Sequence, residues 1–143
     1  MRVVVQRVIS AHVEVGQKVI GHIEKGFLLY IGIYHGDEDY IVERMVDKIS
    51  NLRVFEDDYG RMNLNITQVG GDILCVPQFT LYADTKGNRP SFTLVAEPTR
   101  AEFLYQKLVK TLKFNHHVEE GAFGAHMRIT SVNDGPVTIL LDM

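Results

Sequence analysis

Apolar and polar positions along the chain change period several times, and each change predicts an element. Val3 to Val8 is a β-branched run, and Val13 and Val15 alternate with His12 and Glu14 up to Gly16-Gln17. That pattern predicts two antiparallel strands ending in a tight turn. After Gly26, Phe27 to Ile33 is apolar without a break, as expected of a central strand covered on both faces. Ile41, Val42, Met45, Val46, Ile49 and Leu52 then recur at spacings of three and four, which predicts an amphipathic helix with Asp37 as its cap. Arg53 to Phe55 reads as a short strand ended by Asp57-Asp58-Tyr59-Gly60, and Gly70-Gly71 precedes an apolar strand from Ile73 to Val76.

That strand runs directly into Pro77-Gln78-Phe79-Thr80-Leu81, and the chain is loop-like from Tyr82 to Ala96. Pro98 stands before a second amphipathic helix carrying Ala101, Leu104, Tyr105, Leu108 and Leu112, with Asn115 as its terminator. The tail predicts strands around Val118, from Met127 to Val132 and from Val137 to Leu141, the last two parted by Asn133-Asp134-Gly135-Pro136. Two main helices among many strands predict an α/β or α+β domain spanning residues 1–143, its mixed or largely antiparallel sheet layered or barrel-like.

Composition narrows the picture by exclusion. With 143 residues, 45% hydrophobic and 23% charged, the chain can bury a core without disulfides or a structural metal. Its apolar runs are too short for a membrane helix, and neither a targeting nor an anchoring segment is expected. A single cysteine and the absence of a leader make the cytosol the expected compartment. A net charge of −3 rules out a coat of bulk positive potential, so any nucleic-acid contact must be local. Candidate patches are Lys86 with Arg89, and Lys107, Lys110 and Lys113; each taken alone reads first as a solvated surface.

The commonest hydrolase and nucleotide motifs are missing: there is no G-x-S-x-G, P-loop, G-x-G-x-x-G or H-E-x-x-H. His116-His117 is poor geometry for a shared metal, and a solvated pair is expected. Cys75, between Leu74 and Val76, reads as core packing rather than a nucleophile, and Ser91 as a loop hydroxyl. What remains unusual is a polar Gln78-Phe79-Thr80 directly after an apolar strand, and a Gly-Pro dipeptide between two strands.

Taken together, Gln6-Arg7-Val8, Met62-Asn63-Leu64-Asn65, Gln78-Phe79-Thr80-Leu81, Arg89-Pro90-Ser91-Phe92, Gly121-Ala122-Phe123-Gly124-Ala125 and Asn133-Asp134-Gly135-Pro136-Val137-Thr138 resemble the D-aminoacyl-tRNA deacylase family, in order and over the whole chain. The resemblance implies a homodimeric hydrolase that takes the 3′ end of aminoacyl-tRNA, works without cofactor or metal, and has no membrane or DNA partner. It further implies that a cis Gly135-Pro136 enters the partner's pocket as a chirality gate. There Gln78, Phe79 and Thr80 line the reacting carbonyl, and Arg7 supports the Gly-Pro turn. Glycine, lacking a side chain to reject, is expected to pass. The family usually has Ser before Gln-Phe-Thr, where this chain has Pro77, which removes a backbone donor at the pocket. The alternatives are an editing deacylase for mischarged L- or achiral amino acids, a non-catalytic tRNA-binding module and a general small-molecule esterase.

Overall fold

The computed structural model describes residues 1–143. Strand β1 (Arg2–Val15) turns at Gly16 into β2 (Lys18–Ile23), and β3 (Gly26–Gly32) returns along the first half of β1. Gly16 has φ +63°, the left-handed conformation that a tight hairpin needs and that glycine adopts at no steric cost. Val3–Val8 and Val13–Val15 thus belong to one fourteen-residue strand, and its antiparallel partner lies beyond the turn.

Helix α1 (Asp39–Asn51) and the small hairpin β4 (Phe55–Glu56) and β5 (Met62–Leu64) lead to β6 (Asp72–Pro77), which lies parallel to β3. After the 3₁₀ turn Phe79–Tyr82, a long loop leads to α2 (Pro98–Leu112) and to β7 (Val118–Glu120), parallel to β6. The last strand, β8 (Arg128–Asp142), returns antiparallel to β1 along almost its full length. The mixed sheet has the order β2-β1-β3-β6-β7, with β8 also on β1. It curls until β2 lies against β6 and β7: a β-carbon on Gly21 would stand 3.1 Å from Glu120 O.

Side-chain alternation divides the interior. Phe27, Leu29 and Ile31 of β3 and Ile73 and Cys75 of β6 face the two helices in the main core. Leu28, Leu74 and Val76 point the other way, into a smaller cluster with Val8, Ala11, Val13 and Ile23 inside the curled sheet. Both faces of β3 are therefore covered, which is why its sequence is apolar without alternation. Helix α2 presents Leu104, Leu108 and Leu112, all fully buried, each contributing about 1.5–3 kcal/mol of transfer free energy.

Several boundaries differ from the sequence expectation, each for a physical reason. Asp37 does not cap α1: its carboxylate accepts the Met1 amino group at 2.6 Å and the Tyr34 N–H at 2.8 Å, and Glu38 takes the cap position without a side-chain bond. Pro98 is the first residue of α2 rather than its predecessor, because Glu97 caps the helix by accepting from Thr99 N and Arg100 N. Those backbone donors hold the Glu97 carboxyl below its ordinary range. The helix ends at Leu112, not Asn115, and Arg53-Val54 lie outside β4. The two strands expected in the tail are one, continuous through the Gly-Pro dipeptide.

Candidate active site

A cavity of about 290 Å³ opens at the carboxyl ends of the parallel strands β3 and β6, the end of a parallel sheet at which loops diverge and ligands are commonly held. Ile31 and Ile33 come from the β3 end, and Val76, Pro77, Gln78 and Phe79 from the β6 end. The far wall is Ala101 and Tyr105 of α2 with the segment Phe123 to Met127. The lining is mostly apolar with few polar groups, a composition suited to holding a small organic moiety.

Local geometry explains what the Gln78-Phe79-Thr80 segment offers. Pro77 is the last β6 residue paired with β3, and it has no N–H of its own to offer. The Gln78 N–H donates to Ile31 O at 2.7 Å, so this donor is used by the sheet and is not available to a ligand. The N–H groups of Phe79 and Thr80 open the 3₁₀ turn, where no helical acceptor precedes them. Gln78 Nε2 donates to Thr80 Oγ1 at 2.5 Å, tying the hydroxyl back to the strand end. No histidine or carboxylate bonds Thr80. Phe79 is 55% exposed, and its ring meets Phe92 edge-on at 5.0 Å.

Gly135 and Pro136 lie elsewhere. Gln6 is opposite Thr138 and Val8 is opposite Asn133, so four residues, Asp134 to Val137, bulge opposite Arg7 alone. The Gly135–Pro136 peptide is cis, and both residues are exposed. Gly135 has φ +127°, and a β-carbon there would stand 2.8 Å from Val137 Cγ2 and 3.0 Å from an Arg7 nitrogen, so this position admits only glycine without a shift. Arg7, though charged, is 5% exposed. Its Nη1 donates to Val54 O at 2.6 Å and its Nε to Asp134 O at 3.2 Å, and the Asp134 carboxylate lies 3.4 Å from Nε. Asn133 Oδ1 accepts the Val137 N–H at 3.0 Å and closes the bulge from inside.

Within one chain, then, Gln78 and Phe79 line the cavity with Thr80 beside them, whereas Gly135, Pro136 and Arg7 form a separate projecting feature on β8 and β1. Tyr105, His126 and Met127 were not singled out as site residues by the sequence, though they help form the wall. Tyr105 falls on the core stripe of its helix, and only the fold shows its hydroxyl donating to Cys75 O at 3.2 Å. Burial pushes both the Tyr105 hydroxyl and the Cys75 thiol far up, so neither ionises near neutrality and Cys75 is packing.

The remaining candidates are placed differently. His116 is not simply solvated: its Nε2 lies 2.9 Å from Ser50 Oγ, and burial lowers its proton affinity, while His117 sits in the open 3.5 Å from Glu119. Two lysines of the α2 row are neutralised, Lys107 by Asp39 and Lys113 by Glu120. Lys107 and then Arg100, bonded to Asp39, hold its carboxyl below the usual range. Ser91 is in the loop, its backbone paired with Asp84.

Comparison with known proteins identifies the family. The family model described as D-Tyr-tRNA(Tyr) deacylase matches residues 4–142. The D-aminoacyl-tRNA deacylase of Exiguobacterium sp. is 51% identical, with 99% of this chain and 98% of the relative covered. That of Thermosipho melanesiensis is 49% identical over 99% and 97%, and that of Lactobacillus acidophilus 48% over 100% of both. A solved structure described as the c-Myc DNA Unwinding Element Binding Protein superposes with a TM-score of 0.95 at 41% identity, covering 100% of this chain and 99% of that one. Another, of a probable eukaryotic D-amino acid tRNA deacylase, shares the fold at TM-score 0.89 and 18% identity, covering 99% and 98%. With a match along nearly its whole length and relatives at about half identity, the chain belongs to the D-Tyr-tRNA(Tyr) deacylase family of hydrolases.

Proposed function

We propose that this protein hydrolyses the ester joining a D-amino acid to the 3′ end of a tRNA, in the cytosol, as a homodimer in which each copy supplies the other's chirality gate. The observation that carries the reading is the separation of pocket and gate within one chain. Gln78 and Phe79 line an apolar cavity at the β6 end, while Gly135-Pro136 stand exposed on a braced bulge of β8, with β1 and β3 between them in the sheet. Ile9 and Val132, 55% and 49% exposed, flank that bulge and supply an apolar surface for a second copy.

In this arrangement the carbonyl of Gly135 and the ring of Pro136 crowd the direction an L side chain takes from the α-carbon, so that only hydrogen fits there. A D side chain points out of the pocket, and glycine passes. The N–H groups of Phe79 and Thr80 receive the oxyanion as the carbonyl becomes tetrahedral; donors preset for that charge need no side-chain nucleophile. Gln78, its own N–H committed to Ile31, acts through its side chain by holding the Thr80 hydroxyl. The free 2′-hydroxyl of the terminal ribose assists the attacking water. An ester is already activated relative to an amide, so positioning and electrostatics suffice.

The test is turnover of matched D-tyrosyl-, L-tyrosyl- and glycyl-tRNA. The expected order is rapid D-tyrosyl and glycyl hydrolysis, with the L-tyrosyl ester persisting at its spontaneous rate. Hydrolysis of the L ester as fast as the D ester would overturn the reading in favour of a general editing deacylase.

A further inference from the structure

Between the 3₁₀ turn and α2 the chain makes a fixed excursion. Asp84 N donates to Ser91 O at 2.8 Å and Ser91 N to Asp84 O at 2.9 Å, so the six residues Thr85 to Pro90 project from a two-bonded root, all of them exposed. Asp84 Oδ1 accepts the Lys86 N–H at 3.0 Å and shapes the first bend. Both stems abut the pocket. Ala83 N donates to Thr80 O at 3.1 Å on the way out, and on the return Phe92 meets the Phe79 ring at 5.0 Å. The tip is therefore carried on the same support as the residues beside the reacting ester.

Its chemistry is cationic. The Lys86 side chain is 93% exposed and only 4.0 Å from Asp84, at the limit of an ion pair, and no carboxylate pairs with Arg89. Arg2, Arg100 and Arg7, by contrast, are paired at closer range, with Asp142, Asp39 and Asp134. A chain of net charge −3 repels a polyanion at long range, so a polyanionic substrate needs a local cationic contact near the mouth of the site.

We propose that the 84–91 excursion docks the single-stranded acceptor end of tRNA, with Lys86 and Arg89 gripping the phosphates just upstream of the terminal nucleotide. This rests on the deacylase reading and deepens it. Phosphate contacts of this kind position the strand and carry no sequence information, which suits an enzyme that must accept many tRNAs. They also place the ester at the pocket without any grip on the amino-acid side chain.

The experiment compares wild type with the double variant Lys86→Glu/Arg89→Glu on two substrates: D-tyrosyl-tRNA, and the D-tyrosyl ester of adenosine, which has no phosphate. On tRNA, kcat/KM is expected to fall about tenfold or more, chiefly through KM, and the salt dependence to flatten by about 1.4 in log–log slope for two lost contacts. On the adenosine ester the variant is expected to match wild type within about twofold, and Lys86→Arg/Arg89→Lys to restore tRNA turnover. Equal loss on both substrates would mean that the loop merely braces Phe79, and unchanged tRNA turnover and salt slope would mean that it is solvated; either overturns the docking surface. Wild type inert on both substrates would overturn the deacylase reading itself, a result distinct from either.

Discussion

At the scale of single residues the question is what Thr80 does. A threonine nucleophile needs a base to take its proton, and the bonded partner of its hydroxyl is the Gln78 side-chain amide, which is no base in either orientation. The hydroxyl is instead held in place and free to orient a water or the ribose. Thr80→Val keeps the shape and removes the hydroxyl, so kcat is expected to fall about tenfold to a hundredfold, with KM little changed. Thr80→Ser is expected to retain most of the activity. Acid-quenched wild type is expected to show no acyl adduct by intact mass, and an adduct on Thr80 would establish covalent catalysis instead.

At the scale of elements the notable device is the four-residue bulge of β8 opposite Arg7. A strand that loops out four residues loses ladder bonds, and Arg7 replaces part of what is lost by donating to Asp134 O and to Val54 O at once. Removing the guanidinium leaves both carbonyls short of a donor in a largely buried setting. Arg7→Met is therefore expected to cost about 1–3 kcal/mol in urea unfolding. It is also expected to lower the D-over-L ratio, because the gate loses its brace. Arg7→Lys keeps the charge but cannot fork to two carbonyls, and falls between. A variant with wild-type stability and discrimination would show that the bulge supports itself.

The same bulge marks where the sequence stops being legible. Phe27 to Ile33 could be read as a central strand because two buried faces leave no polar position, and Ile41 to Leu52 as a helix because one buried face leaves a period. Gly16 disclosed its turn because left-handed backbone has a residue preference. By contrast, Asn133 to Pro136 reads as an interruption between two strands, since pairing with β1 on either side of the bulge is a long-range fact. Asp37 has the composition of a cap but is recruited by Met1 and Tyr34. The Gln-Phe-Thr segment was visible as polar residues after an apolar strand. That the Gln78 donor is already used, and that Tyr105 and His126 share the cavity, depends on strand β3 and on the folding-back of residues 123–127.

At the scale of the whole molecule the proposal stands on assembly. The bulge is exposed and displaced from the cavity of its own chain; in the proposed reading a second copy brings the two together, and a two-fold arrangement would do so twice with one contact patch. Ile9 and Val132 are near neighbours beside the bulge, Val132 facing Ser10 across the ladder. Placing carboxylates there, as Ile9→Glu/Val132→Glu, sets like charges against like charges across a two-fold interface while leaving both buried clusters intact. Sedimentation equilibrium is expected to show a dimer for wild type and a monomer for the variant, with unchanged far-ultraviolet circular dichroism. Under the proposed reading the separated pocket loses its partner-supplied wall against the L side chain, so the D-over-L ratio of whatever activity survives is expected to drop about tenfold or more, the equivalent of at least about 1.4 kcal/mol of lost discrimination. A wild type that is monomeric at assay concentrations yet discriminates fully would require the gate to act within one chain, where β1 and β3 stand between Gly135 and Phe79.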